Sequence, residues 1–125
     1  MEDKKDMIEQ YIQSYNSFDV EGMLKDVHER IEFENISNGK VDLSIKGIEE
    51  FRKQAIAAKA YFTHREQKIT SWDFKGNVVT IEIDYEGVLA VDFPNGMKTG
   101  DTLQLKGQSI FEFEDDKISK IQDKS

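Results

Sequence analysis

The chain has 125 residues, with 17 Lys and Arg against 25 Asp and Glu, a formal net charge of -8 and no cysteine. Its length predicts one domain across 1–125, its charge argues against nucleic acid and anionic membranes as partners, and the lack of thiols removes disulfides, Cys nucleophiles and Cys-ligated metals. One Trp, four Tyr and eight Phe are too many aromatics for a disordered acidic chain, no apolar run approaches the ~18 residues of a membrane span, and MEDKKDM does not open like a signal peptide, so a folded cytoplasmic protein is expected.

From Asp3 to Ser17 the residues Met7, Ile8, Tyr11, Ile12 and Tyr15 recur at spacings of three and four, the stripe of an amphipathic helix. Asp19 has the chemistry of an N-cap and predicts a second, short helix ending near Val27. Between His28 and Ile36 the pattern changes to alternation, with Ile31, Phe33 and Asn35 on one face and Arg30, Glu32 and Glu34 on the other. Ser37-Asn38-Gly39 reads as a turn, and after Lys46-Gly47 the residues Ile48, Phe51, Ala55, Ile56 and Ala58 return to helical spacing as far as Tyr61.

Beyond Tyr61 the chain reads as an antiparallel meander of four strands, about 62–74, 78–91, 99–114 and 118–123, with turns at Lys75-Gly76-Asn77, Phe93-Pro94-Asn95-Gly96 and Glu114-Asp115-Asp116-Lys117. Val79, Ile81, Ile83, Tyr85, Leu89 and Val91 share one face of the second. The third is apolar at Leu103, Leu105, Phe111 and Phe113 but small or polar at Gly107 and Ser109. Strands this long on so small a chain must bend, and Gly87 and Gly107 are the expected bend or bulge sites. The order predicts an α+β fold in which three helices, all in the N-terminal half, pack on a strongly curved, mainly antiparallel sheet and leave a cone-shaped cavity.

Several pieces of this sequence carry a family resemblance: Tyr11-Ile12 in the first helix, Phe18-Asp19-Val20-Glu21-Gly22 opening the second, Ile31-Glu32-Phe33-Glu34-Asn35 in the first strand, Lys46-Gly47-Ile48-Glu49-Glu50-Phe51 opening the third helix, and Asp116-Lys117-Ile118 before the last strand. In that order the chain resembles the nuclear-transport-factor-two-like superfamily, in particular its SnoaL-like polyketide cyclase and ketosteroid isomerase branches. The resemblance implies a cone-shaped α+β barrel around a mostly apolar pocket, often in a dimer. An ungapped match places the isomerase's oxyanion-donating tyrosine at Tyr11, its general base at Asn35 and its protonated Asp donor at Ser109. Asn cannot take up a proton, so that mechanism does not carry over. Matching Asp116-Lys117-Ile118 to the cyclase turn brings that branch's acid–base Asp to Asp123 and its histidine to Ser109.

The alternation alone selects the same groups. Asn35, Ser109 and Asp123 each share a strand face with apolar neighbours, so three polar groups from three strands converge on one interior, the usual make-up of a small-ligand pocket. The competing expectation is that they satisfy one another, or that Asp123 is a solvated strand end. Tyr15, Tyr85 and Trp72 are expected as walls, Ser109 as a positioning group, and His64 as an acid–base group that Ser109 does not supply, set against a strand histidine in solvent. No His has a ligand partner at i+2 or i+4 and no Gly-rich phosphate loop follows a strand, so neither metal nor cofactor is expected. The functional expectation is a SnoaL-like pocket protein for a small hydrophobic molecule, acting as a cofactor-free isomerase, lyase or cyclase on a hydrophobic carbonyl compound with Asp123, Tyr11 and Asn35 as catalytic groups. The alternative is a non-catalytic ligand-binding or protein-interaction domain. A homodimer through the outer sheet face, where Val78, Val88 and Ile110 mix with charge, completes the reading.

Overall fold

The computed structural model describes residues 2–125. Helix α1 (Glu2–Asn16) and the short α2 (Val20–Leu24) lead into strand β1 (Val27–Ser37), β2 (Lys40–Lys46) and helix α3 (Ile48–Lys59). Strands β3 (Phe62–Lys75), β4 (Val78–Leu89), β5 (Thr102–Glu114) and β6 (Lys117–Lys124) follow. The six strands form one sheet in the order β2-β1-β6-β5-β4-β3, antiparallel throughout except for β1 beside β6. Three helices on a curved, mostly antiparallel sheet are the α+β cone that the sequence predicts.

The helices bury most of the stripe their spacing announces, Ile8, Tyr11 and Ile12 from α1 and Phe51 and Ala55 from α3, but Ile56, expected on the α3 stripe, is one position past Ala55 and stays 53% exposed. The Asp19 side chain accepts the Gly22 N–H at 3.0 Å, the expected cap of α2. That helix stops at Leu24 rather than near Val27, which instead opens β1.

One strand was not expected. Residues 40–46 pair antiparallel with β1 through a two-residue turn in which Asn38 and Gly39 have φ of 53° and 78°, the left-handed pair that joins tight hairpins. Val41, Leu43 and Ile45 do alternate, but Val41 on this edge strand is 49% exposed, so the strand has only a thin apolar face to announce it. Gly87 and Gly107 do not mark bulges either: β4 and β5 keep an unbroken register with each other, and the shifts fall at Val27/Glu32, Asn35/Ile36, Phe62/His64, Ile69/Ser71 and Glu112/Phe113. These two glycines serve close approach. A Cβ on Gly87 would sit 2.8 Å from the Phe62 ring, and one on Gly107 would sit 3.0 Å from the Lys124 carbonyl oxygen.

The last strand lies between β1 and β5, so its backbone is held on both sides. The Ser125 N–H donates to the Ile36 carbonyl at 2.9 Å, and the Asn38 N–H to the Ser125 carbonyl at 3.1 Å. Asp123 is therefore a fixed position on an inner strand and not a loose end. The dry core lies under α1, where Ile8 and Ile12 meet Val79, Ile81, Phe111, Ile118 and Ile121.

Candidate functional site

Cross-strand register places Asn35 opposite Asp123, and Asp123 opposite Ser109. Directly paired residues share a face, so β1, β6 and β5 bring the three polar side chains into one transverse row on the concave side. This is the convergence the alternation predicts. All three line a cavity of about 650 Å³, within the ~300–1,000 Å³ usual for small-molecule sites. Phe33, Phe51, Ile83 and Leu105 form much of its apolar wall, and Tyr61 and Val91, large side chains that remain exposed, stand at its rim.

Ser109, 1% exposed, donates its Oγ–H to Asp123 Oδ1 at 2.7 Å. Burial pushes the Asp123 carboxyl up to about 6, and the Ser109 hydrogen bond opposes only part of that rise. The carboxylate is thus held in one orientation, with Oδ2 outside that bond, and titrates in a range useful for a base near neutrality.

Tyr11 is 5% exposed and meets Phe111 edge-on at 5.8 Å between ring centroids. Burial, and then the nearby Asp123 charge, raise its pKa well above the usual tyrosine range, so it stays a hydrogen-bond donor at every physiological pH. One turn later on α1, the Tyr15 hydroxyl lies 2.9 Å from that of Tyr85. Burial raises both, and since either can donate to the other, the pair keeps one O–H for an outside acceptor.

Two other expected site residues do not reach the cavity. Trp72 stacks on Phe74 at 5.6 Å under Lys5 of α1 and packs against the dry core. His64 points outward from β3, with its side chain 55% exposed and Nε2 3.6 Å from a Glu86 carboxylate oxygen. The shift at Ile69/Ser71 explains both placements. Before it the odd residues Arg65, Gln67 and Ile69 pair with the inward Gly87, Tyr85 and Ile83; after it the even residues Trp72 and Phe74 pair with Ile81 and Val79. A bulge flips the parity of everything beyond it, which hides the facing of this strand from a reading of alternation.

It also conceals two groups that the sequence reading missed. Arg65 and Gln67 line the cavity and are 2% and 8% exposed. The Gln67 backbone is clamped by the Asn16 carboxamide, which donates to its carbonyl at 3.1 Å and accepts its N–H at 2.7 Å. A charged residue in a polar stretch reads as solvent-facing, and only the pairing opposite Gly87 and Tyr85 reverses that.

Among the described residues one group of potential metal ligands comes together, His28, Glu114 and Asp115. His28 Nδ1 accepts the Arg30 N–H at 3.0 Å, so the proton of the neutral ring resides on Nε2, which faces Asp115 Oδ2 at 3.3 Å. Glu114 in turn takes the Arg30 guanidinium at 3.1 Å. The cluster is satisfied internally and leaves no ring lone pair for a cation.

The family model described as a SnoaL-like domain matches residues 8–121. Among solved structures, a protein provisionally called a polyketide cyclase from Xanthomonas campestris pv. campestris superposes with a TM-score of 0.82 at 17% identity, covering 99% of this chain and 90% of that one. A SnoaL-like protein from Jannaschia, with the same provisional assignment, gives 0.81 at 11% identity over 97% and 83%. An LEH-like epoxide hydrolase from M. tuberculosis gives 0.75 at 16% identity over 95% and 79%. No curated protein matches the sequence.

Proposed function

We propose that this chain, which belongs to the SnoaL-like domain family, uses its cavity for cofactor-free acid–base chemistry on a small hydrophobic carbonyl compound, with Asp123 as the base. The observation that carries this reading is the Asn35–Asp123–Ser109 row, a carboxylate oriented by one polar neighbour, flanked by another and raised by burial to about 6. A carbon acid needs a base beside its acidic hydrogen and donors where negative charge develops on oxygen. Asp123 removes a proton alpha to the substrate carbonyl, and the C–H electron pair passes into the enolate. Tyr11 and the Asn35 amide donate to the enolate oxygen. With a C=C beyond the acidic carbon the resulting dienolate takes the proton back from Asp123 at its far carbon, which is isomerisation; otherwise the α carbon attacks a second carbonyl, whose oxygen takes that proton, which is cyclisation. Ser109 positions Asp123 rather than the substrate, and the Tyr15–Tyr85 pair offers a further donor on the wall.

The structural neighbours named as polyketide cyclase and epoxide hydrolase hold different chemistry in this same fold, so the reaction is argued from the site. The competing reading is a non-catalytic ligand-binding or protein-interaction domain; an amide at Asn35, where the resembling isomerase has its base, favours it. The test is to identify a ligand co-purifying with the protein by mass spectrometry and to follow its turnover. Asp123→Asn lowers kcat by ~10²–10⁴-fold if Asp123 is the base. Binding without turnover by the wild-type protein gives the site to the competing reading.

This reading also takes the protein to be a cytoplasmic homodimer. No helix among the described residues is long and apolar enough to cross a membrane. The outer sheet face carries the half-buried Val78, Val88 and Ile110 among paired charges such as Lys106–Asp84 at 2.8 Å. A second copy would cover that face, and sedimentation equilibrium at micromolar concentration tests it: the dimer mass is expected, and a monomer contradicts it.

A further inference from the structure

Arg65 is a buried cation without a carboxylate. Its side chain is 2% exposed, and no Asp or Glu among the described residues lies within ion-pair distance of it. Buried guanidinium groups are normally paired, because the desolvation they suffer is offset only by a counter-charge or a full set of hydrogen bonds. Here two aromatic rings lie against the group, with the guanidinium carbon 3.7 Å from the Tyr15 ring centroid and 4.5 Å from that of Phe18. Phe18 reaches this place from a backbone φ of 61°, unusual for a bulky residue. The Nε–H donates to the Tyr15 carbonyl at 2.9 Å, in the last turn of α1. A stapling role for Arg65 needs no more than that.

Yet Nη2 has no hydrogen-bond partner, and neither has Oε1 of Gln67, two residues along on the same face. Both residues line the cavity. Asp123 does not answer this charge, since its carboxylate is bonded to Ser109 and lies beyond ion-pair distance of Arg65. The field of Arg65 does reach the cavity, where it favours the ionised forms of Tyr11, Tyr15 and Tyr85.

We propose that the ligand of this cavity is an apolar acid, whose anionic oxygen group takes the unpartnered Nη2 of Arg65, buried in the cavity lining, while Gln67 accepts a neighbouring ligand hydroxyl. The inference rests on the cavity being a small-molecule site and deepens that reading by fixing the charge of the ligand. With two aromatic rings against it and its Nε taken, the guanidinium is left with its Nη edge, the edge that takes carboxylate or sulfonate oxygens in the guanidinium plane. Long-range electrostatics cannot supply an anion preference on a chain of net charge -8, so any such preference is local to the lining, where Arg65 is the buried cation and Lys124 an exposed one.

Two fluorescent probes of nearly equal hydrocarbon bulk separate the possibilities: anilinonaphthalene sulfonate, an anion, and N-phenylnaphthylamine, which is neutral. Wild-type protein is expected to bind the sulfonate at a single site ~10-fold or more tightly than the neutral probe. Arg65→Met keeps an apolar stem between Tyr15 and Phe18; it should abolish or reverse that ratio while the affinity for the neutral probe stays constant, which also reports that the cavity is intact. Arg65→Lys should retain part of the preference, because it keeps the charge and loses the planar fork. The inference is overturned if wild-type protein binds the neutral probe as well as the sulfonate, or if Arg65→Met keeps the wild-type ratio. Saturable binding of the neutral probe alone leaves the cavity reading standing and removes the anionic ligand. Failure of both probes to bind removes both.

Discussion

Two neighbouring rows on the concave face of the sheet have opposite characters. One runs Phe33–Ile121–Phe111–Val79–Phe74 across β1, β6, β5, β4 and β3, and every member is apolar. The next, two residues along each strand, begins Asn35–Asp123–Ser109 before it turns apolar at Ile81. Backbone, curvature and strand order are shared, so the difference lies in the side chains and in what covers them. Helix α1 packs its stripe onto the middle of the first row, where Phe111, Val79 and Ile121 are fully buried, while Phe33 at the β1 end meets Phe51 and lines the cavity. The polar members of the second row face the cavity, and its Ile81 returns to the core. A sheet that must hide one face can thus be closed at one end and functional at the other, with the boundary set within two residues.

The largest effect expected from crossing that boundary comes from the dry row. Phe111→Ala removes a ring with no exposure that supports Tyr11, and should cost about 3–5 kcal/mol in denaturant unfolding. Asn35→Ala, one row away and facing open volume, should cost far less. If the two losses are equal, the rows do not differ in packing as described. Next in size is Tyr11→Phe, at the boundary itself. The ring keeps its contact with Phe111, so stability should hold, while turnover of an identified substrate should fall ~10²–10³-fold through loss of an oxyanion donor. Unchanged kcat would make Tyr11 a core residue only.

A smaller effect, of the opposite sign, is expected from Asp123→Asn. The folded carboxyl titrates at about 6 against an ordinary value of 3.8, so the folded state holds its proton more tightly than the unfolded chain does. The stability this provides is full below about pH 4 and is lost as pH rises through about 6. Asn cannot ionise and still accepts the Ser109 hydroxyl. The variant should therefore match wild type near pH 4 and exceed it at pH 7 by on the order of 2–3 kcal/mol. Equal stabilities at both pH values would mean that burial does not raise this carboxyl.

The comparison of rows also shows what a linear sequence can carry. Local alternation over 31–35 in β1, 109–113 in β5 and 121–123 in β6 places Asn35, Ser109 and Asp123 on the inward face, because a period of two leaves no choice once the adjacent apolar residues are placed. That these faces meet in one row is a matter of register, which the parallel pairing of β1 with β6 sets and which local pattern does not contain. Where alternation breaks, so does the reading: the bulge in β3 reverses parity between Ile69 and Ser71, which put Trp72 against the core, turned His64 outward and left Arg65 and Gln67 unnoticed. Strand β2 escaped notice because an edge strand with three spaced apolar residues has little face to bury. The rim residues Val91, Phe93 and Pro94 lie in the long β4–β5 connection, whose course depends on contacts such as Phe93 with Tyr61 and Phe62 at 6.2 Å.

Asp123 is central here as a half-buried, protonatable carboxylate on a cavity wall, distinct from an ordinary surface acid. Carbon-13 NMR titration of its side-chain carboxyl, assigned by comparison with Asp123→Asn, measures this without knowledge of any substrate. The account predicts a midpoint at about 6, falling toward the ordinary range in Phe33→Arg, which would bring a cation to the neighbouring row. A wild-type midpoint near the ordinary 3.8 would contradict it.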